Sequence, residues 1–335
     1  MTDFSPYRLK MMNRSFSQSF ILLGFSNWPY LELVLFVIIL IFYLLTLLGN
    51  TSIILVSHLD PQLHTPMYFF LSHLSALDLC FTTSVIPQLL VHLSRADKSI
   101  TFGGCAVQLY VSLALGSTEC LLLAAMALDR FAAICHPLRY AVFMNPRLCR
   151  QLAAGSWGCG FTASLLQTVL TMKLPFCGQA QVDGFLCEVP ALLKISCVDT
   201  TFIEMELFAA TLLYLGLPVV LIFISYGCIA RAVLRVGSGE GRRKAFGTCG
   251  SHLLVVSLFY GTILAVYIVP QNRYAEARGK LLSLFYTVVT PTLNPLIYTL
   301  RNQDVKGAMR RLLAQKKTVK LGMGPGWACW ETSLG

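Results

Sequence analysis

An acid and a base stand side by side at Asp129 and Arg130, closing an apolar run from Phe102 to Leu128 whose one charge is Glu119. Charged side chains in hydrocarbon are costly and mark places of pairing, ion passage or conformational latching. Ser112, Glu119 and Arg130 are 7 and 11 residues apart. At about 100° per residue on a helix the three point nearly the same way. One face therefore carries an outer hydroxyl, a mid-depth acid and an inner cation, and it must look into a helix bundle. A second acid, Asp78, lies 12 residues after Pro66, about 18 Å along its helix. Glu119 is about 16 Å above Arg130 by the same rise, so the two acids reach similar depth. Two unpaired carboxylates in a dry core repel, so either one is protonated or a cation sits between them.

The elements that position these groups follow from composition. Of 335 residues 56% are hydrophobic and 13% charged, with mean hydropathy +0.66. A soluble domain carries about 25% charge, so most of this chain belongs in lipid. Apolar stretches long enough to cross about 30 Å of hydrocarbon fall near 30–57, 67–91, 102–128, 148–172, 203–234, 246–269 and 281–300. The fold class is an all-α membrane protein, a seven-transmembrane helix bundle, and an odd count puts the termini on opposite faces.

Lysine and arginine set the orientation. With the N-terminus outside, 16 of 26 fall in the cytosolic segments around Arg130–Arg150, Arg231–Lys244 and Arg301–Lys320, the positive-inside bias. The first inner loop, Ser57 to Pro66, contributes none. The net charge of +10 thus reads as attraction to anionic lipid and a cytosolic partner, not to nucleic acid. The expected divisions are an extracellular segment 1–29, a receptor domain 30–300, a membrane-surface helix 301–315 and a disordered tail 316–335. Val305, Ala308, Met309, Leu312 and Leu313 make the apolar stripe of that surface helix, opposite Lys306, Arg310 and Arg311. The tail ends in a Trp-rich stretch, Trp327 to Trp330.

Residues 1–20 lack the sustained apolar core of a cleavable signal peptide, so the first span is expected to direct insertion. Asn13-Arg-Ser15 is a glycosylation sequon on the outer side, whereas Asn50-Thr-Ser52 lies inside the first span. Cys105 opens the third span on the outer face, and Cys177, Cys187 and Cys197 share the outer loop 173–202. Four cysteines in an oxidising compartment point to two bridges with three connectivities open. No internal repeat of the kind transporters show is present.

Several segments resemble the olfactory receptors, within the rhodopsin-like G-protein-coupled receptors. They are Met126-Ala-Leu-Asp-Arg-Phe131, Gly49-Asn50, Leu63-His-Thr-Pro-Met-Tyr-Phe-Phe70, Leu74-Ser-Ala-Leu-Asp78, Ser225-Tyr226, Lys244-Ala-Phe-Gly-Thr-Cys-Gly-Ser-His-Leu253 and Asn294-Pro-Leu-Ile-Tyr298. The resemblance covers residues 20–315. Leu128 and Phe131 depart from the family's Met-Ala-Tyr-Asp-Arg-Tyr, and Gly247 and Gly250 stand where Ser is common.

This resemblance implies the pairs Cys105–Cys187 and Cys177–Cys197, and a sodium ion as the cation between Asp78 and Glu119; no other cofactor is implied. It also implies a bistable bundle. At rest Arg130 is held by Asp129 and by polar groups near the sixth span. Activation rearranges Arg130, Tyr226 and Tyr298 about the Asn294-Pro295 hinge, opening a groove for a stimulatory, olfactory-type G protein that raises cyclic AMP. The expected ligand pocket takes Ser112, Leu113, Gly116 and Ser117 from the third span, Ala210, Thr211 and Tyr214 from the fifth, and Tyr260 and Tyr267 from the sixth. Glu188 serves as its lid. This set shows no obvious buried charge, which implies a small neutral odorant. Ser112 replaces the acid of amine receptors, and Val288 the retinal lysine of visual pigments. The chain is expected in the plasma membrane and shows no catalytic constellation. The rivals are a proton channel or transporter using Asp78, Glu119 and Asp129–Arg130, a metabolite sensor of the same fold outside olfactory tissue, and a member whose substituted coupling end fails to signal.

Overall fold

The computed structural model describes residues 19–312 apart from 27, 96, 178–179, 236–238, 269–272 and 302–303. Asn13 and the segment beyond 312 lie outside the described residues. So do the side chains of 240–248 and 265–278, Tyr267 among them.

Seven long helices run through the described residues: α1 (Pro29–Leu59), α2 (Pro66–Ser94), α3 (Phe102–Cys135), α4 (Pro146–Met172), α5 (Thr201–Arg235), α6 (Gly239–Ile268) and α7 (273–301). Five of them contain apolar stretches long enough to cross a membrane. Within its described part α6 shows a shorter apolar stretch, Cys249–Leu264, and α4 is more polar for a structural reason. On α4, Ser156, Ser164, Gln167, Thr168 and Thr171 turn inward and are buried. Prolines open α1, α2 and α4 within the first turn, where the missing N–H has no partner to lose.

The burial pattern is that of a protein dissolved in lipid. Large apolar side chains such as Leu33, Val34, Phe202, Met205 and Phe208 face outward, while Asn50, Asp78, Glu119 and Asn294 are enclosed. Over their apolar windows α1 and α5 are 11% buried, whereas α3 and α7 are each 56% buried, so these two lie at the centre. The close contact of α3 with α4 depends on Gly160, where a Cβ would stand 2.8 Å from the Ala114 carbonyl oxygen.

Another glycine joins α1 to α7. A Cβ on Gly49 would lie 2.9 Å from Cγ of Pro295. Pro295 has no N–H to offer the carbonyl four residues back, and that carbonyl, Pro291, instead accepts from Asn50 Nδ2 at 3.1 Å. The neighbouring Gly49-Asn50 thus makes room for the ring and satisfies the group it strands. Both α5 and α7 contain a π turn, at Leu212–Gly216 and Phe285–Val289. Sequence periodicity gave no sign of either.

The outer end is a knit cap. Strand β1 (Ser19–Leu22) pairs antiparallel with β2 (Ser99–Thr101), in the register Phe20 with Ile100, and parallel with β3 (Gln181–Val182). Phe20 packs against Phe102 and Phe176 at ring distances of 6.0 and 5.2 Å. The disulfides Cys105–Cys187 and Cys177–Cys197 are formed, with Cα separations of 5.5 and 5.4 Å. Residues 19–22, expected only as part of an extracellular segment 1–29, are the central strand of this sheet.

At the inner end, residues 304–312 are helical again. Val305 and Ala308 are buried, with Met309 and Leu312 packed against the core. Arg311 donates to Asp60 in the first inner loop from Nε at 2.9 Å and from a terminal nitrogen at 2.7 Å.

Candidate functional site

Beneath the cap lies a cavity of about 310 Å³. Of the residues expected to line it, Ser112, Leu113, Gly116 and Ser117 of α3, Ala210, Thr211 and Tyr214 of α5, and Glu188 of the outer loop all do so. A Cβ at Gly116 would meet nothing within 4 Å, so this glycine is there as open volume.

Tyr260 is not among the lining residues. Its hydroxyl donates to the Cys120 carbonyl at 3.2 Å, and among the described residues of α6 the cavity wall is Phe259 and Ile263. Residues four apart share a helical face while the adjacent residue is turned by about 100°. The seven-residue spacing of Tyr260 and Tyr267 says that they share a face, but not which face meets the ligand.

Further lining groups were not anticipated: Ser164 and Gln167 of α4, Ser283 and Tyr286 of α7, and Glu119 itself. Two carboxyl groups therefore border the cavity, against the expectation of a wall without buried charge. Glu188 accepts from Ser283 Oγ at 2.8 Å and also from the Tyr286 hydroxyl, which ties the outer loop to α7. Two hydroxyl residues three apart in an apolar span were the available sequence signal for this pair. Lys280 adds a second tie, pairing with Asp183 and donating to the Gly24 carbonyl at 3.0 Å.

Below the cavity is a polar layer. Asn294 Nδ2 donates to Asp78 Oδ2 at 3.0 Å, and Asp78 interacts electrostatically with Glu119. Glu119 Oε1 and Asn294 Oδ1 are buried without a hydrogen-bond partner. Two carboxyl groups and an amide oxygen form an all-oxygen donor set that suits a hard monovalent cation. Among the described residues no cluster of three or more His, Cys, Asp or Glu that would hold a metal is present.

The end of the bundle opposite the cap carries the acid–base pair. Asp129 is wholly buried and accepts from both nitrogens of one Arg130 edge, Nε at 2.9 Å, on Oδ2. Its Oδ1 accepts from the Tyr140 hydroxyl at 2.7 Å. Burial first, then the bond to the carboxylate, push the Tyr140 hydroxyl well above the ordinary phenol range. It therefore stays a donor at physiological pH. The α6 groups expected around Arg130 are absent from its hydrogen bonds among the described residues. That helix meets Tyr226 instead, whose hydroxyl lies 2.6 Å from His252 Nδ1. Tyr298 is fully buried with its hydroxyl unpartnered. The helix α6 runs unbroken through Gly247 and Gly250.

Residues 39–316 match the sequence profile described as olfactory receptor. The chain is 62% identical to human olfactory receptor 2G3 over 91% of its own length and 98% of the relative's. It is 60% identical to human olfactory receptor 2G6 over 90% of its length and 95% of that protein. Mouse olfactory receptor 2B6 is 57% identical, over 90% of this chain and 96% of its own.

Proposed function

The chain belongs to the olfactory receptor family, and from that membership we propose that a small organic odorant seats in the outer cavity and drives a stimulatory G protein from the opposite end. The protein is a multi-pass membrane receptor, not an enzyme. In this reading it sits in the plasma membrane with its N-terminus outside, and the helix 304–312 lies on the inner lipid surface.

The observation that carries the assignment is the cavity itself, enclosed by α3, α5, α6, α7 and the Cys187–Glu188 segment. A ligand there touches helices whose inner ends hold Arg130, Tyr226 and Tyr298. Because the same rigid helices border both sites, a ligand that fits one packing of their outer halves better than another biases the packing of their inner halves. Phe259 borders the cavity, and the next residue, Tyr260, bonds the α3 backbone at Cys120. Movement of that α6 turn carries His252, two turns below, away from Tyr226. Arg130 then exchanges Asp129 for the transducer. Within the same reading a sodium ion held by Asp78, Glu119 and Asn294 supplies positive charge that offsets the two acids in the resting packing.

The test is a cyclic AMP assay against a broad odorant panel in cells with the olfactory-type G protein, with Arg130→Ala beside the wild type and surface expression measured for both. Ligand-evoked cyclic AMP that vanishes in the variant supports the reading. An undiminished response would remove Arg130 from the mechanism, and ligand-evoked current without any G protein would replace the receptor by a channel.

A further inference from the structure

We propose that the inner end holds a second binding site, which takes the alkyl chain and carboxylate of a free fatty acid, and that its occupant braces the latch at Asp129. A cavity of about 480 Å³ lies between the inner end of α1, the first inner loop, the start of α2, the loop 136–145 and the start of α4. It shares no lining residue with the outer cavity.

The lining changes character with depth. Its buried wall is Leu63, Tyr68, Ser72, Met144 and Cys149. The polar atoms of that wall are already bonded. The Tyr68 hydroxyl donates to Asp304 Oδ2 at 3.1 Å, Ser72 Oγ to the Phe69 carbonyl at 2.8 Å, and Cys149 Sγ to the Met144 carbonyl at 3.7 Å. A guest at this depth therefore meets apolar surface, which suits an alkyl chain. The rim bears the exposed His58, His64 and Arg150, and among the described residues no aspartate or glutamate lines the cavity. Asp60, in the adjoining loop, is taken up by Arg311. Arg150 is engaged through Nε, with the Pro146 carbonyl at 3.2 Å, which leaves its terminal nitrogens for an anion. A guanidinium edge matches a planar carboxylate. One permanent cation suits one negative charge, and the volume is that of a single small guest. A phospholipid brings two chains, and a polyphosphorylated headgroup calls for a cluster of basic residues.

Tyr140 connects this cavity to the switch. It lines the cavity, and its hydroxyl donates at 2.7 Å to the Asp129 carboxylate that also holds Arg130. A guest packed against the ring favours the packing in which that bond is made. Occupancy then opposes the exchange of Asp129 for the transducer. The brace rests on the signalling reading above; the binding site does not.

Binding is read as thermal unfolding of the full-length receptor in nanodiscs of neutral phospholipid, with dodecanoic acid and its methyl ester as probes. The acid should stabilise at concentrations about 5-fold below those of the ester, the worth of an exposed but well-matched ion pair. Arg150→Gln should erase that difference. Ala141→Trp, which sets a large ring at the exposed edge of the cavity, should remove stabilisation by both probes, and Gly116→Leu should leave it intact. Equal potency of acid and ester, or an acid preference unchanged in Arg150→Gln, overturns the carboxylate assignment. Stabilisation that survives Ala141→Trp, that is lost in Gly116→Leu, or that neither probe produces overturns the site. Nanodiscs of phosphatidylglycerol that give the same Arg150-dependent stabilisation and abolish the effect of the acid would make the occupant a bilayer headgroup and overturn the fatty acid.

The brace is read separately, as ligand-free nucleotide exchange on the added G protein. Dodecanoic acid should lower it about 2-fold or more in the wild type and leave it unchanged in Tyr140→Phe, while still stabilising that variant. Stabilisation of the wild type with exchange unaltered overturns the brace and leaves the site standing. Exchange that is absent in every preparation, even with odorants, overturns the signalling reading and the brace together, again without touching the site.

Discussion

The two ends of the bundle solve opposite problems. The outer end is fixed by covalent and backbone links, two disulfides and a three-stranded sheet, and encloses a void whose Glu119 and Gln167 oxygens lack partners. Among the described residues the inner end has no covalent tie, yet its central acid, Asp129, is saturated by Arg130 and Tyr140. A binding site must be chemically unfinished and mechanically held, so that a ligand completes it without the walls collapsing. A switch must be complete in its resting state and held only by bonds that can be exchanged. The contrast between rigid incompleteness and exchangeable completeness is what the chain encodes.

The most severe way to break that contrast is to cut the outer link. Cys105→Ser opens a bridge that spans 82 residues, and loss of such a bridge costs about 2–5 kcal/mol. Surface expression should collapse and the purified protein should unfold at markedly lower temperature. Unchanged stability would mean that the strands alone hold the cap.

Filling the void comes next. Gly116→Leu adds a side chain where a Cβ meets nothing within 4 Å, so folding and expression should be preserved. Odorant potency in the cyclic AMP assay should fall on the order of 10- to 100-fold, the cost of about 1–3 kcal/mol of steric conflict with the ligand. The opposite result, equal potency with normal expression, would separate the cavity from ligand binding.

The comparison also explains what could be read in advance. The seven spans, the α3 polar face and the layer shared by Asp78 and Glu119 were legible because lipid makes every enclosed charge conspicuous in an apolar run. The cap was not legible. A strand of four residues, Ser19–Leu22, carries too little pattern to stand out, and its partners are 80 and 160 positions away. The pocket was mostly legible on α3, where Glu119 and Arg130 fix the rotation. It was misread on α6, where no charge did so and Tyr260 faces α3 instead. The π turns in α5 and α7 shift the helical phase in a way that a fixed 100° step does not anticipate.

A smaller effect should appear when the inner end is made less complete. Tyr140→Phe removes one of the bonds to the buried Asp129 carboxylate. A bond to a charged group contributes about 1.5–3 kcal/mol, part of which water entering at the loop will replace. Ligand-free cyclic AMP should rise several-fold while odorant potency changes little. Basal signalling identical to wild type at equal expression would show that Tyr140 braces the loop without restraining Arg130.

The least effect is expected at Asp60 and Arg311, which tie the helix after α7 to the first inner loop. The Arg311 hydrogen bonds, assisted by the Gln62 backbone N–H, hold the Asp60 carboxyl below its ordinary range despite the opposing effect of burial. A lowered value in the folded state means that the pair contributes stability above the unfolded carboxylate value of about 3.9 and loses it as pH falls through the folded value. Arg311 is 43% exposed, so salt and solvent screen the pair and its contribution is small. Unfolding temperatures of wild type and Arg311→Met should differ slightly and constantly from pH 7 to 5, then converge below pH 4. High salt should narrow the gap at neutral pH. If the difference instead persisted undiminished at pH 3, the long arginine stem packed over the loop would be the stabilising element, and the inner end would be held there by apolar contact and not by charge.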